Sequence, residues 1–448
     1  MTDSTIWSFS VNQTGQLCGR SDADSLSCRL AAPASRLAKH FGERLPARLA
    51  DLVEISHMMH GADRLVARGP NWRRRFVIQA PVRDLGFWRR LDVAQALQDV
   101  LHYLTDDDWV VRFEDAPWSV DRPQLQKIFP EQKPLAACLF SGGLDSLAGL
   151  AVDVSEAKFK TIVPVCCTAS PRLKAVQRKL LNGVFPNREV AVRPVFLSVA
   201  IGQEKGQYSR NERTQRTRGF LFGCLGAVAA SMAGANRLRI YENGVGAINL
   251  PLTAAQVGTQ STRSTHPLAL YKLSRLLSLV FDEEFFLDLP FIFSTKGELC
   301  SRLAATKWRR LTGDSVSCDS FPLRTKGPVH CGECTSCLLR RQACWVAGLI
   351  EDQIPDAYRA DVLSGDPDLD FRPLADMVIQ AQRLNWEVSK AEPWSQLAAE
   401  FTEIIEVVEA LQMQGEVESE SRLVDLYSRY SLEWKRFPAR PLGWRMAA

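Results

Sequence analysis

The sequence has no long apolar run and no strong excess of one charge. No uninterrupted apolar stretch reaches the roughly 18 residues that a membrane-spanning helix needs, which argues against a membrane protein. The opening residues lack a basic segment followed by an apolar one, so we expect no secretory signal and a cytoplasmic protein. The 448 residues carry a net charge of only +4, too little to indicate a nucleic-acid binder. Internal repeats and low-complexity tracts are also missing, and the ordinary composition excludes a disordered or collagen-like chain.

The 12 cysteines are not spaced like a disulfide framework. Three of them, Cys331, Cys334 and Cys337, fall within seven residues. In a reducing compartment such a cluster indicates a metal site, whereas isolated cysteines are typical small core residues. We expect core positions for Cys138, Cys166, Cys167, Cys224 and Cys344, which lie in apolar runs.

The chain divides into three predicted parts: 1–133, 134–350 and 351–448. The first part mixes strand-like runs (74–82 and 107–115) with a helical one (93–104) and ends in a Pro-bearing linker, 119–134. We predict an α+β N-terminal extension without a chemical motif of its own. A docking surface for a partner and a purely structural lid are both open roles for it.

The middle part alternates strands and helices. Apolar strands in such an alternation predict a parallel sheet covered on both faces, with ligands bound beyond the carboxyl ends of its strands. The last part is predicted to be a helical C-terminal extension, with helices at 395–415 and 421–437. In the middle part we predict strands at 134–140, 161–167, 190–199 and 237–242, and helices at 146–157, 171–184 and 216–234.

The sharpest motif is SGGLDS, residues 141–146, between the first strand and the first helix of the middle part. Gly142 and Gly143 allow a tight turn and the close approach of a ligand. The following helix start points N–H groups at that ligand, and Ser141 and Ser146 add hydroxyls. A carboxylate there, that of Asp145, would be repelled by phosphates without an intervening cation, so we expect Mg²⁺. The alternative is an ordinary helix start capped by Asp and Ser.

SGGLDS resembles the signature of the PP-loop ATP pyrophosphatases. These enzymes bind ATP phosphates on this loop, release pyrophosphate and adenylate their substrate. The resemblance implies that Ser141, Gly142, Gly143, Leu144, Asp145 and Ser146 bind ATP. It also places the adenine beside the end of the second strand, at Val165 to Thr168.

The second motif is Cys318-x12-Cys331-x2-Cys334-x2-Cys337. Four thiolates close a tetrahedral Zn²⁺ shell and leave no position for catalysis, so we predict a structural zinc site. Disulfides and an iron–sulfur cluster are the alternatives. The neighbouring His330 is expected to be a spectator.

Together the two motifs resemble QueC, the family that makes 7-cyano-7-deazaguanine from 7-carboxy-7-deazaguanine, with CGECTSCLLRR (331–341) close to its CGxCxSCxxR pattern. The resemblance covers about residues 134–350. The loop 242–267 lacks that family's Asp-Cys-Arg triplet, and the chain is far longer. In these respects it is more similar to the QatC-type QueC-like proteins of bacterial anti-phage systems, which implies a protein amine as acceptor instead of ammonia.

Further candidates lie at element boundaries. Arg213, Arg216 and Arg218 open an apolar helix, where cations oppose the helix dipole; this mismatch favours anion binding, and a solvated helix start is the alternative. Arg218 matches the family's arginine. Glu242, Asn243 and Gly244 follow a strand, either as substrate ligands or as a plain turn. Thr295 and Lys296 match a family stretch in which Lys296 meets ATP phosphates, and Thr295 is also the start of a capping box. Arg263 and His266 are the obvious polar side chains of the substrate loop.

The leading hypothesis is therefore an ATP-dependent C–N ligase with ATP, Mg²⁺ and structural Zn²⁺. It would adenylate a 7-deazaguanine acid and form an amide with a partner protein encoded nearby, with Asp145, Ser146 and Lys296 in catalytic roles. The alternatives are a nitrile-forming synthase that uses ammonia, a tRNA-modifying PP-loop enzyme, and an inactive ATP-binding module. We expect neither a nucleic-acid partner nor a membrane.

Overall fold

In the part of the chain that the structure describes, two β-sheets follow one another and are followed by a group of helices. The computed structural model describes residues 5–12, 14–31, 33–42, 44–69, 72–116, 135–184, 189–202, 211–253, 256, 263–321, 329–349, 358–364 and 369–438. The predicted linker 119–134 and the predicted boundaries at 133/134 and 350/351 lie outside these residues. The division into three parts therefore stays a prediction.

Residues 6–115 contain the first sheet. Its strands are β1 (Ile6–Val11), β2 (Gln16–Arg20), β3 (Ser25–Arg29), β4 (Arg75–Val82) and β5 (Asp108–Asp115), in the order β3-β2-β1-β4-β5. Its helices are α1 (Pro33–Phe41), α2 (Ala47–Leu65), α3 (Leu85–Trp88) and α4 (Leu91–Thr105). β1, β2 and β3 pair antiparallel, whereas β1, β4 and β5 pair parallel. The predicted strands at β4 and β5 and the helix at α4 are present, so this segment is α+β as expected.

The second sheet is parallel in all of its described pairings. Its strands are β6 (Leu135–Leu139), β7 (Thr161–Thr168), β8 (Ala191–Val192), β9 (Val195–Ser198), β10 (Arg237–Ile240) and β11 (Phe286–Asp288). The order is β11-β10-β6-β7-β8, and β9 also pairs with β7. The associated helices are α5 (Leu144–Ser155), α6 (Pro171–Val184), α7 (Arg218–Ala233), α8 (Gly244–Ile248), α9 (Pro267–Phe281), α10 (Lys296–Ala304) and α11 (Thr335–Val346). This confirms the parallel α/β architecture predicted from the alternation.

Both faces of the second sheet are covered. On one face a single hydrophobic core cluster joins residues of β6 and β7 to α7, α9 and the first sheet. On the other face a second cluster joins the strands to α5, α10 and α11. α7 is apolar around most of its circumference because the sheet lies on one side of it and α2 on the other.

The last described segment is helical, as predicted. It contains α12 (Arg372–Val388), α13 (Pro393–Glu400), α14 (Ile404–Met413) and α15 (Ser419–Arg436). These helices form a third core cluster that also contains Ala247, Ile248 and Ile292 from the part of the chain with the second sheet. The C-terminal helices therefore pack beside α8 and the segment before α10.

Two predicted elements are each divided in the structure. The predicted strand 190–199 is two strands, because Pro194, which has no N–H to donate, lies between β8 and β9. The predicted helix 395–415 breaks where Phe401 leaves helical geometry (φ −126°, ψ 78°), and its ring is buried in the third cluster.

Candidate active site and metal centre

The SGGLDS loop joins β6 to α5 at the switch point of the second sheet. Chain order proceeds from β6 to β7 on one side, whereas β10 lies on the other side of β6. The loops after β6 and β10 therefore meet at the carboxyl edge, where open α/β sheets bind ligands. Gly142 has φ +85°, a conformation that favours glycine. α5 begins after Gly143 with no side-chain cap, so its first N–H groups point toward the loop.

Hydroxyl groups organise the inside of this loop. The Gly142 N–H donates to Ser146 Oγ at 3.1 Å, and Ser146 Oγ donates to the Gly143 carbonyl at 2.9 Å. The exposed Ser141 receives the Gly143 N–H at 3.2 Å. The loop is also attached to a distant segment, because the Val316 N–H donates to the Gly142 carbonyl at 3.0 Å.

Four of the predicted site residues form one buried charged cluster. Lys296, the first residue of α10, donates to one oxygen of Asp145. Asn243 Nδ2 donates to the other oxygen of Asp145 at 2.9 Å and to Glu242 Oε1 at 3.0 Å. Asp145, Asn243 and Lys296 are at most 9% exposed. Residues that follow β6, follow β10 and begin α10 are thus brought together, although they are up to 151 positions apart.

The cluster is electrostatically unbalanced, with two carboxylates facing one ammonium. Burial raises the pKa of Glu242 to about 8, and the Asp145 carboxylate adds to this shift. Burial alone would lower the pKa of Lys296, but the Asp145 and Glu242 carboxylates raise it. Lys296 therefore stays charged near neutral pH, whereas burial and the Asp145 carboxylate favour the protonated form of Glu242 by raising its pKa.

Gly244 and Val165 have packing roles in the structure. A Cβ on Gly244 would lie 1.9 Å from the Ile292 carbonyl oxygen, so α8 packs closely on the segment before α10. Val165 is fully buried within β7, and its carbonyl accepts the Phe140 N–H at 2.9 Å. In the predicted adenine segment, Thr168 is the residue at the carboxyl end of the strand.

The predicted arginines at the start of α7 have different surroundings. Arg218 is exposed, yet enough protein surrounds it for burial to lower its pKa, with Asp319 acting in the opposite direction. Arg216 instead pairs with Asp106 at 3.2 Å and stacks on Trp72.

Arg263 contacts the segment that contains the first sheet, and His266 contacts both that segment and the C-terminal helices. Arg263 donates to Asp106 Oδ1 at 2.8 Å. His266 caps α9, lies 2.9 Å from Tyr103 Oη and 3.5 Å from Glu406, and burial lowers its pKa to about 4. These contacts join three segments of the chain, and the proposed substrate role of the two residues stays a prediction.

The four predicted cysteines are grouped as a metal site requires. Their sulfur atoms all lie within 4.8 Å of one another, with 3.9 Å between Cys331 and Cys337. A tetrahedron with metal–sulfur bonds of about 2.3 Å has edges of about 3.8 Å, so the group could hold a metal such as zinc. All four are free thiols, which leaves no disulfide among them. Although burial raises the pKa of Cys331, backbone N–H groups of Cys334 and Glu333 hold it below its usual value.

The turn that carries three of these cysteines is packed against a later segment. Gly332 has φ +87°, and a Cβ there would lie 2.0 Å from the Ala360 carbonyl oxygen. The neighbouring His330 accepts the Ser317 N–H at 3.3 Å and is outside the four-sulfur group.

Arg340 connects this cysteine cluster to the SGGLDS loop, a role that the sequence did not predict. It is 1% exposed on α11 and donates to Ser315 Oγ at 2.8 Å and to the Thr312 carbonyl at 2.7 Å. The same segment supports the loop, since Leu144 N–H donates to Ser317 Oγ at 3.3 Å. The signal for Arg340 in the sequence was its place three residues after Cys337, where the CGxCxSCxxR pattern has its arginine.

Comparisons with protein-family models and with curated proteins give no match for this chain. Among the described residues, no helix combines the length and apolarity that crossing a membrane requires.

Proposed function

We propose that this protein is an ATP-dependent ligase that adenylates a 7-deazaguanine carboxylic acid and transfers the acyl group to an amine. The observation that carries the proposal is that the SGGLDS loop, through Asp145, meets Glu242 and Lys296 at the switch point of a parallel sheet. The deazaguanine acid, the partner-protein acceptor and the anti-phage setting rest on the resemblance to QueC-like proteins.

The chain's own groups suit the phosphates of ATP. The start of α5 offers the N–H groups that follow Leu144, whose own N–H donates to Ser317 Oγ, and the positive end of the helix dipole. Lys296 would bridge Asp145 and the phosphates, with its ammonium still held beside the Asp145 carboxylate. Mg²⁺ also fits, because Asp145 and Glu242 are adjacent carboxylates and therefore hard oxygen ligands. When bound, it would neutralise phosphate charge during the displacement.

The reaction needs positioning more than a side-chain nucleophile. A substrate carboxylate oxygen attacks the α-phosphorus of ATP, the bond to the bridging oxygen breaks, and pyrophosphate leaves. The amine then attacks the acyl carbon, AMP leaves, and the amine loses a proton to water. Lys296 and the α5 N–H groups would stabilise the charge that builds on the phosphate oxygens in the first step.

Zinc is the metal that we propose for the cysteine cluster, in a structural role. Four thiolates complete its coordination, so no reaction step passes through it. Arg340 and the 312–317 segment would transmit the rigidity of this site to the SGGLDS loop.

The test is an incubation of the purified protein with ATP, Mg²⁺ and 7-carboxy-7-deazaguanine, with either ammonia or co-expressed neighbouring proteins. We expect pyrophosphate release and a deazaguanine-sized mass increase on a partner protein. Asp145→Ala should abolish both, whereas Asp370→Asn, an exposed control, should change neither. If free 7-cyano-7-deazaguanine forms with ammonia, the activity is the nitrile-forming reaction and not the modification of a partner protein. The absence of any ATP turnover would refute the proposal.

A further inference from the structure

The last helix, α15, reaches the residues that hold Lys296. Glu433 of α15 is buried, at 9% exposure, and its Oε1 accepts a hydrogen bond from the Thr295 hydroxyl, with 2.5 Å between the two oxygens. Its other oxygen accepts from Gln342 Nε2 on α11 at 3.1 Å. One carboxylate from the C-terminal helices thus contacts both the N-cap of the helix that begins with Lys296 and the helix that contains Cys337.

The Thr295 hydroxyl has only one proton, and Glu433 determines where it goes. Thr295 is the N-cap of α10, and its oxygen accepts the Glu298 N–H at 3.0 Å. Because the proton is directed to Glu433, a lone pair faces the Glu298 N–H, which is the geometry that the cap needs. Glu433 therefore supports the cap immediately before Lys296.

The space for this carboxylate is provided by a glycine. A Cβ on Gly297 would lie 2.7 Å from Glu433 Oε1. Glycine is a poorer helix former than alanine, and here it lets a negative charge approach the positive end of α10. That charge also offsets the unfavourable position of Lys296 at the same helix end.

A second contact from α15 holds the same turn. Arg429 pairs with Glu298 at 2.6 Å and donates to the Phe293 carbonyl at 2.8 Å. Glu298 completes the capping box by accepting the Thr295 N–H at 2.9 Å. α15 therefore contacts the start of α10 through both a carboxylate and a guanidinium.

We propose that Glu433 is a positioning residue, which fixes the start of α10 and thereby directs the Lys296 ammonium toward Asp145. The C-terminal helices are then part of the candidate ATP site. This inference rests on the proposed function for its ATP role, whereas the orientation of Lys296 is measurable without ATP.

The experiment compares Glu433→Gln with Glu420→Gln, an exposed control on the same helix. First, acetylation of Lys296 by acetic anhydride is followed by mass spectrometry in the absence of nucleotide. Loosening the Lys296–Asp145 pair should accelerate it by about threefold or more in Glu433→Gln and leave Glu420→Gln at the wild-type rate. An unchanged rate in Glu433→Gln would overturn the proposal.

Second, ATP affinity is measured by calorimetry for Glu433→Gln, Lys296→Met and the double variant. We expect Glu433→Gln to weaken binding by about tenfold alone and to have little further effect beside Lys296→Met. Equal weakening in both backgrounds would mean that Glu433 acts on the fold in general and would refute the positioning role. If the wild-type protein binds no ATP, the proposed function fails, and the acetylation rate alone decides the role of Glu433.

Discussion

Arg340→Met should destabilise the protein through the segment that supports the SGGLDS loop. The guanidinium makes two short hydrogen bonds, to Ser315 Oγ and to the Thr312 carbonyl. Hydrogen bonds from a charged donor contribute about 1.5–3 kcal/mol each. The Thr312 carbonyl keeps a second donor, Ser315 Oγ at 2.7 Å, so the substitution leaves no buried carbonyl unpaired. We therefore expect a net loss near the lower end of the sum, about 3 kcal/mol.

This loss should be visible as a lower thermal midpoint. With an unfolding entropy of about 2.1 cal/mol/K per residue, 3 kcal/mol corresponds to about 3 °C if the whole chain unfolds together, and to about 7 °C if a unit of roughly 200 residues unfolds separately. Scanning calorimetry measures the midpoint. Amide exchange in peptides covering 139–146 measures the effect on the loop, which should become faster.

Arg372→Met is the matched control, because Arg372 is 86% exposed and pairs with Asp370 on the surface. It should leave both the midpoint and the loop exchange unchanged. A shift of less than about 1 °C for Arg340→Met would contradict the energy estimate. A lower midpoint with unchanged exchange in 139–146 would show instead that Arg340 stabilises only the cysteine cluster, and the proposed connection to the loop would be wrong.

Three further predictions concern the metal site, its turn and the buried histidines. Cys337→Ser should abolish the binding of one zinc per chain, as measured by elemental analysis after dialysis. The control Cys300→Ser lies outside the four-sulfur group and should keep its zinc. Retained zinc in Cys337→Ser would contradict the assignment of the site. Gly332→Ala should lower the thermal midpoint, since the added Cβ meets the Ala360 carbonyl. Gly348→Ala, which is also at positive φ but has open space around it, should lower the midpoint less. Equal shifts of the midpoint would exclude the contact with Ala360 as the cause. Burial lowers the pKa of His60 to about 4, so the folded state binds fewer protons than the unfolded state between pH 6.5 and 4. Acidification to pH 5 should therefore lower the free energy of unfolding of the wild type by about 2 kcal/mol more than that of His60→Gln, as measured by urea unfolding. Parallel pH profiles of the two proteins would show that folding does not lower the pKa of His60.

The local motifs and the architecture of the second sheet could be predicted from the sequence. Apolar strands alternating with helices require a parallel sheet, because both of its faces must be buried. The four cysteines at short spacing predicted their own cluster, since the turn around Gly332 brings three of them together within seven residues. The capping box at Thr295 followed from residue types three positions apart.

The first three strands and the divided elements could not be predicted in the same way. β1 to β3 are short and only partly buried, so their apolar pattern is weak. Phe401 fits a helical pattern, and only its burial in the third core cluster ends α13 there. Local propensity is a weak prior that tertiary packing overrides.

The residue types of the candidate site are already present as local motifs: the glycines and hydroxyls of the SGGLDS loop, and the thiols of the metal site. Which distant charges meet depends on the fold. Asp145 and Lys296 are 151 positions apart, and Thr295 and Glu433 are 138 apart. No local periodicity encodes such pairs, because strand order and helix packing place them together. The Glu433 carboxylate on the last described helix therefore lies beside the residue that precedes Lys296 only because both helices pack at the same edge of the second sheet.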